Sequence, residues 1–237
     1  MAVGTVKVTA NKVKNRKKSI KMVKIILLSL LFVLLVFFIL LSLIYKGGRF
    51  TISLDPNFSA KSGIVLYNNL EEKRVQRKLN ADPIDFMDNI SINWLPDDLD
   101  KQEGSHNGEN YIAYSFYIEN QGENILNYWY QVQIKDVIKN VDEAVRIMIY
   151  HNQERTVYAK LNGDTNEPEE NTTPFYSEKI PVLKARTNFA PGEIDKFTVV
   201  IWLEGDDPDC VDAIIGGEIK MQMDISEEHV EGEVNNG

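Results

Sequence analysis

Residues Phe197-Thr198-Val199-Val200-Ile201-Trp202-Leu203-Glu204 and Glu218-Ile219-Lys220-Met221-Gln222-Met223-Asp224-Ile225 carry one signature twice. Phe197, Val199, Ile201 and Leu203 fall on one side of the first stretch, and Ile219, Met221, Met223 and Ile225 alternate with Glu218, Lys220, Gln222 and Asp224 along the second. Side chains of an extended backbone point alternately to opposite faces, so a period of two with one apolar face marks a half-buried β-strand. Between the two stretches, Asp207 before Pro208 reads as a helix N-cap with proline at the first helical position, and Gly216 as a left-handed terminating residue. The connection is therefore expected to hold a short helix from Pro208 to about Ile215.

The same alternation recurs upstream. Ile112, Tyr114, Phe116 and Ile118 form one face of Tyr111 to Glu119, and Tyr128, Tyr130, Val132 and Ile134 one face of Tyr128 to Lys135. These two segments are expected to pair through the turn-forming run Asn120 to Asn124. Val145, Ile147 and Ile149 alternate with Arg146, Met148 and Tyr150, His151 to Glu154 interrupts, and Thr156 to Lys160 resumes, which is a hairpin pattern. Weaker strands are read at Phe50 to Leu54, Ile64 to Tyr67 and Ile90 to Trp94, with Glu71 to Leu79 a polar segment of unassigned type. Asp97 to Asn110 and Leu161 to Pro174, rich in Asp, Glu, Asn and Gly, belong at the surface. The single cysteine, Cys210, excludes an intramolecular disulfide and any Cys-based zinc cluster. A set of short strands with no covalent staple points to a mainly β fold, a jelly-roll-like two-sheet sandwich.

Ahead of these strands the chemistry changes. Ile25 to Tyr45 is an apolar run interrupted only by serine, and at about 1.5 Å per helical residue it spans a hydrocarbon core of roughly 30 Å. Upstream lie Lys7, Lys12, Lys14, Arg16, Lys17, Lys18, Lys21 and Lys24, with no acidic residue before Lys46. The positive-inside rule then places the N-terminus in the cytoplasm and the strands outside. Membrane lipid is the expected partner of the basic arm, since each Lys or Arg near an anionic leaflet contributes about 1 kcal/mol. A cleavable signal peptide is the competing reading, but the run is long and Ser42 to Gly48 offers no good small-x-small site. The organisation expected is a basic cytoplasmic arm 1–24, a transmembrane helix 25–45, an extracellular β-sandwich 46–225 and a disordered acidic tail 226–237.

Eight of the 26 basic residues and none of the 35 acidic ones lie before Lys46, so the remainder carries 18 against 35, a formal −17. Such a domain repels nucleic acid, which is bound by neutralising phosphates.

Ala113-Tyr114-Ser115-Phe116-Tyr117, Thr156-Val157-Tyr158-Ala159-Lys160, Pro191-Gly192-Glu193-Ile194-Asp195-Lys196 and Thr198 to Cys210, with its Trp-Leu-Glu-Gly strand end and following Asp-Pro-Asp-Cys, together resemble Gram-positive exported β-sandwich proteins of the TasA/camelysin-like type. The resemblance covers roughly residues 50–225. It implies a jelly-roll domain on the cell surface or in the biofilm matrix, where relatives assemble into fibres by donating an N-terminal strand to a neighbour. The chain departs from the family in lacking the peptidase site expected after the apolar segment. Phe50, Ile52 and Leu54, alternating with Thr51 and Ser53 directly after the anchor, are the candidate donor strand. The same residues also fit the domain's own first strand.

Catalysis finds little to work with. A zincin needs two histidines one helical turn apart with a glutamate between, whereas His106, His151 and His229 are scattered. No Gly-x-Ser-x-Gly elbow is present and neither Gly-Gly pair has phosphate-loop spacing. Glu204, Asp206, Asp207, Asp209 and Asp212 crowd carboxylates into one connection and are the candidate calcium ligands, with further residues from another loop. Read as an EF-type loop from Asp207 they fail, because Asp212 falls where glycine is required, and helix capping accounts for the same residues. Tyr111, Tyr117 and Trp129 lie opposite the apolar faces and are a candidate ligand platform. The expectation is a non-enzymatic, membrane-anchored surface protein acting through other surface proteins or self-assembly as a matrix, adhesion or fibre component, with no cofactor beyond possible calcium. The alternatives are a tethered accessory subunit of a secretion or conjugation apparatus and a metal-dependent hydrolase.

Overall fold

Alternation and charge translate into two separate units in the computed structural model, Met1–Lys46 and Gly47–Gly237. The structure describes residues 3–44 and 49–227. The first unit is one helix, α1 (Val3–Ile44), in which the basic arm and the apolar run are continuous. Among the described residues it is the one helix long and apolar enough to cross a membrane, and the apolar side chains from Ile25 to Ile39 are exposed. The candidate cleavage region 45–48 and the tail 228–237 lie outside the described residues. Ser226 belongs to the last strand, and Glu227 pairs with Lys61 at 3.0 Å.

The second unit is mainly β. In chain order it contains β1 (Arg49–Leu54), α2 (Pro56–Ser62), β2 (Ile64–Tyr67), β3 (Lys78–Asn80), β4 (Asn89–Ile90), β5 (Gly104–Ser105), β6 (Tyr111–Asn120), β7 (Leu126–Ile138), β8 (Val145–His151), β9 (Glu154–Ala159), β10 (Thr173–Pro174), β11 (Val182–Phe189), β12 (Ile194–Glu204) and β13 (Glu218–Ser226). One sheet runs β11-β7-β13-β1-β3 and the other β10-β9-β8-β12-β6-β2, with β4 added against β12 and β5 against β6. The architecture is thus the expected two-sheet sandwich after a single helix.

The apolar faces read from the sequence meet in one core. Ile112, Tyr114, Phe116 and Ile118 of β6 and Phe197, Val199 and Ile201 of β12 face Tyr128, Tyr130 and Val132 of β7 and Met221, Met223 and Ile225 of β13. β1 completes the layer. It lies parallel to β13, with Phe50 opposite Met221, Ile52 opposite Met223 and Leu54 opposite Ile225, and antiparallel to β3 on its other side. Phe50, Ile52 and Leu54 are fully buried within the chain's own sandwich.

Three expectations about local structure are corrected. Tyr111 to Glu119 and Tyr128 to Lys135 do not pair: β6 bonds to β12 and β2, and β7 to β13 and β11, in opposite sheets. Two apolar faces serve one core equally well from across it, and alternation alone does not tell the two cases apart. The intervening turn carries the chain between sheets, tied by the Asn120 side chain, which donates to the Asn124 and Phe189 carbonyls and accepts from the Gly122 amide. The turn also needs glycine, because a Cβ on Gly122 would stand 2.1 Å from the Ser62 carbonyl oxygen.

The helix expected from Pro208 to Ile215 is absent. The Asp207 carboxylate is held by the Asp209 amide and by Arg146, Val211 is extended, and a single 3-10 turn, Asp212–Ile214, remains. Gly216 does adopt the left-handed conformation, with φ 72°. The Ile90 to Trp94 strand shrinks to β4 followed by a 3-10 turn, Ile92–Trp94, capped by Ser91.

The second sheet is buried on both faces, which explains the apolar Val200 and Trp202 between the core-facing positions of β12. Ala113, Met148, Val200 and Trp202 pack with Ile90 and Leu99 beneath the 91–110 segment. Ser115 and Thr198, opposite one another there, satisfy each other at 2.6 Å.

Candidate functional site

The five acidic residues of the connection after β12 take separate places. Glu204 turns back on its own strand: one oxygen accepts the Trp202 indole N–H at 3.0 Å and the Ile92 amide at 3.1 Å, and the other accepts the Asp206 amide. Asp206 and Asp212 are exposed. Asp209 accepts the Gly163 amide at 2.8 Å and so fastens the 161–174 loop to the connection.

Asp207 is buried and lies 2.5 Å from Nη2 of Arg146, itself 4% exposed. Glu169, on the 161–174 loop, lies 3.7 Å from the same nitrogen. Oxygens of Glu169, Asp207 and Asp209 all fall within 4.8 Å of one another, the one metal-capable group of three or more side chains among the described residues. Two of the five nominated residues therefore converge, joined by one that the sequence did not nominate, and the positive charge facing them is Arg146. That arginine follows from register: it stands opposite Trp202 on the outer face of its sheet, where the connection folds over it.

A second buried polar centre was not nominated at all. Asp195 lies on the core face of β12, in line with Phe197, Val199 and Ile201, and is 1% exposed. Its carboxylate accepts the Tyr128 hydroxyl at 2.5 Å, the Asn152 amide at 2.6 Å and Arg186 Nε at 3.1 Å, and His151 Nε2 stands 3.4 Å away. Burial pushes the Asp195 pKa up, but His151, the Tyr128 hydroxyl and the Asn152 amide more than offset this and hold it at about 2. Burial, reinforced by Asp195, pushes the Tyr128 hydroxyl far above its ordinary value, so it remains a donor. The centre ties the sheets together, since Tyr128 and Arg186 come from one and Asp195 and His151 from the other. The signal was present in the sequence as a carboxylate continuing an otherwise apolar period-two face.

The remaining candidates are dispersed. His151, expected in a turn, ends β8 and stacks on Phe197 at 4.4 Å. His106 bonds the Gly104 carbonyl, and burial lowers its pKa. His229 lies outside the described residues. Tyr111 packs in the cluster beneath the 91–110 segment, and Tyr117 stacks on Tyr67 and donates to Glu103, so neither forms an open platform. Cys210 is a free thiol, half-buried, that accepts the Asn89 amide at 3.2 Å.

No family model and no curated protein matches the chain. Among solved structures, a β-glucosidase from Kluyveromyces marxianus in complex with glucose aligns over 70% of this chain and 15% of its own, with 9% identity and a TM-score of 0.25. The chain thus spans under one sixth of that enzyme, and a likeness of this size carries no argument about activity.

Two stability outcomes follow from these centres. An aspartate titrating near 3.9 when unfolded and about 2 when folded contributes stability that is complete above about pH 5 and is lost as the pH falls through about 2, roughly 2.6 kcal/mol in all. Urea unfolding of the wild type from pH 6 to pH 2 will show this loss and Asp195→Asn will lack it; equal slopes would remove Asp195 as its source. Arg146→Met leaves Asp207 buried without its counter-charge and is expected to cost about 3–5 kcal/mol, whereas Arg146→Met with Asp207→Leu recovers a large part. Strictly additive losses would show that the pair is not coupled.

Proposed function

We infer that this chain is a single-pass surface protein, N-terminus in the cytoplasm, whose β-sandwich stands outside the cell and acts by binding other proteins or copies of itself as a matrix, adhesion or fibre component. The observation that carries this reading is the charge division at α1. A helix with an exposed apolar surface from Ile25 to Ile39 is preceded by eight basic residues and followed by a domain of formal charge −17. Lipid covers the helix, the anionic leaflet holds the arm, and the acidic domain stays on the far side. The resemblance of the Ala113 to Tyr117 and Thr198 to Cys210 segments to TasA/camelysin-like surface proteins supports the same assignment.

The buried polar side chains also fit a binding role. Asp195, Arg146 and Glu204 are spent on fastening sheets and loops to one another, leaving a rigid scaffold whose loops present a surface.

Protease treatment of intact cells is expected to remove a C-terminal epitope while an N-terminal epitope survives in the membrane fraction. Survival of the C-terminal epitope on intact cells, with loss only after lysis, would contradict the topology. Stoichiometric co-purification with a multi-pass membrane complex would replace the matrix role with that of an accessory subunit.

A further inference from the structure

Ten large apolar side chains are exposed on the second unit among the described residues, and six of them stand on segments that emerge at one end of the sandwich: Phe86, Trp94, Leu161, Tyr176, Val211 and Ile215. β4, β9 and β12 all finish at this end, since Glu204 lies opposite Ile90 and Arg146 opposite both Trp202 and Ala159, and the connection 205–217 crosses there to the start of β13. Phe86, Val211 and Ile215, at 66, 51 and 63% exposure, border a single opening between the sheets. Ile125 and Ile194 belong to the opposite end, where β7 and β12 start. Apolar side chains grouped in this way on a soluble surface mark a contact with a partner or a membrane.

The length of chain leading to β1 says which of the two it is. Arg49 pairs with Lys220 near the start of β13, so β1 enters at the same end of the sandwich. Residues 45–48 alone separate Arg49 from Ile44, the last residue of α1. A connection of five residue steps reaches at most about 18 Å. With α1 in the bilayer, that tether keeps the end bearing Phe86, Val211 and Ile215 within reach of the leaflet from which the helix emerges. A short link also presents the two surfaces to each other at an effective concentration on the order of mM, so that a weak contact suffices.

We propose that this end of the sandwich rests on the membrane that α1 crosses, with Phe86, Val211 and Ile215 below the headgroups and Tyr176 and Trp94 at headgroup depth, where such rings are enriched. The lipid it fits is zwitterionic. Asp85, Asp88, Asp206 and Asp212 are exposed among these side chains; an anionic surface repels them, whereas the ammonium that ends a phosphatidylcholine or phosphatidylethanolamine headgroup attracts them. Docking of this kind orients the domain, turning the Asn120 to Asn124 turn and the β8–β9 turn away from the membrane. The inference rests on the reading of α1 as an anchor, and not on which side of the membrane the sandwich stands.

The test places the full chain in nanodiscs of phosphatidylcholine and reads isoleucine methyl NMR in the presence of a water-soluble gadolinium chelate. Ile215 and Ile125, at 63 and 64% exposure, are matched probes of the two ends. Ile215 is expected to be broadened at least about fivefold less than Ile125, as befits a methyl about 5–10 Å inside the headgroup boundary, and to be broadened in turn by a lipid nitroxide placed near the top of the acyl chain. Phe86→Ser with Val211→Ser should return Ile215 to the broadening of Ile125 while the core methyls of Ile52 and Ile201 keep their shifts. Equal broadening of Ile215 and Ile125 in the wild type, or protection of Ile215 that survives the double substitution, would overturn the proposal. Phosphatidylglycerol in place of phosphatidylcholine should weaken the protection, and stronger protection there would overturn the choice of lipid. A chain that fails to co-purify with the discs would contradict the anchor itself, a failure distinct from that of docking. The wild-type comparison of the two methyls, with both paramagnetic probes, decides the proposal even if the variant fails to fold.

Discussion

Parallel pairing of β1 with β13 is the contact on which the sandwich rests. It places Phe50, Ile52 and Leu54 in register with Met221, Met223 and Ile225 and buries all six. Burying each of the three β1 side chains is worth about 1.5–3 kcal/mol, so together they supply on the order of 5–9 kcal/mol, comparable to the net stability of a typical domain at about 5–15 kcal/mol. β1 is also flanked on both edges, by β13 and β3; backbone bonds from Leu54 to Arg77 and from Asp55 to Ile225 hold its C-terminal end, and the Ala81 amide donates to the Phe50 carbonyl near its start. The strand nearest the anchor in sequence is therefore integral to the core. In the assembly reading, this strand would have to leave its own core before it could be donated to a neighbour.

Around that apolar layer, charged groups appear where alternation places a polar residue on a buried face. Asp195 sits on the inner face and is neutralised and hydrogen-bonded by groups from both sheets. Arg146 sits on the outer face of the second sheet and receives the connection after β12 through Asp207. Removing one partner of such a pair is costly while exchanging both for apolar groups is often tolerated, so these centres specify how loops and sheets dock more than they add net stability. The five carboxylates that were candidate calcium ligands are divided among an indole, backbone amides, an arginine and solvent.

Strand identity was legible because it depends on local alternation. The faces of β6, β7, β12 and β13 and the β8–β9 hairpin, with Asn152 and Gln153 at positive φ in its turn, follow residue by residue. Pairing was not legible, since β6 and β7 present the same apolar pattern whether side by side or face to face. β11 escaped notice because Lys184, Ala185, Arg186 and Thr187 break its apolar face, and only Val182 and Phe189 are buried at its ends. The Pro208 helix failed because a capping signal says nothing of a competing arginine 62 positions earlier in the chain. Glu169 and Arg146 meet Asp207 only through tertiary contact. Asp195 alone carried a visible mark, an acid on a core face.

Amide hydrogen exchange on the full-length chain tests the dependence on β1 most directly. If β1 is sealed into the sandwich, the amides of Ile52 and Leu54 exchange in the slowest class, together with those of Met221 and Met223, through global unfolding. Rapid exchange at Ile52 and Leu54 while Met223 stays protected would show a sandwich that stands without its first strand, contradicting the account.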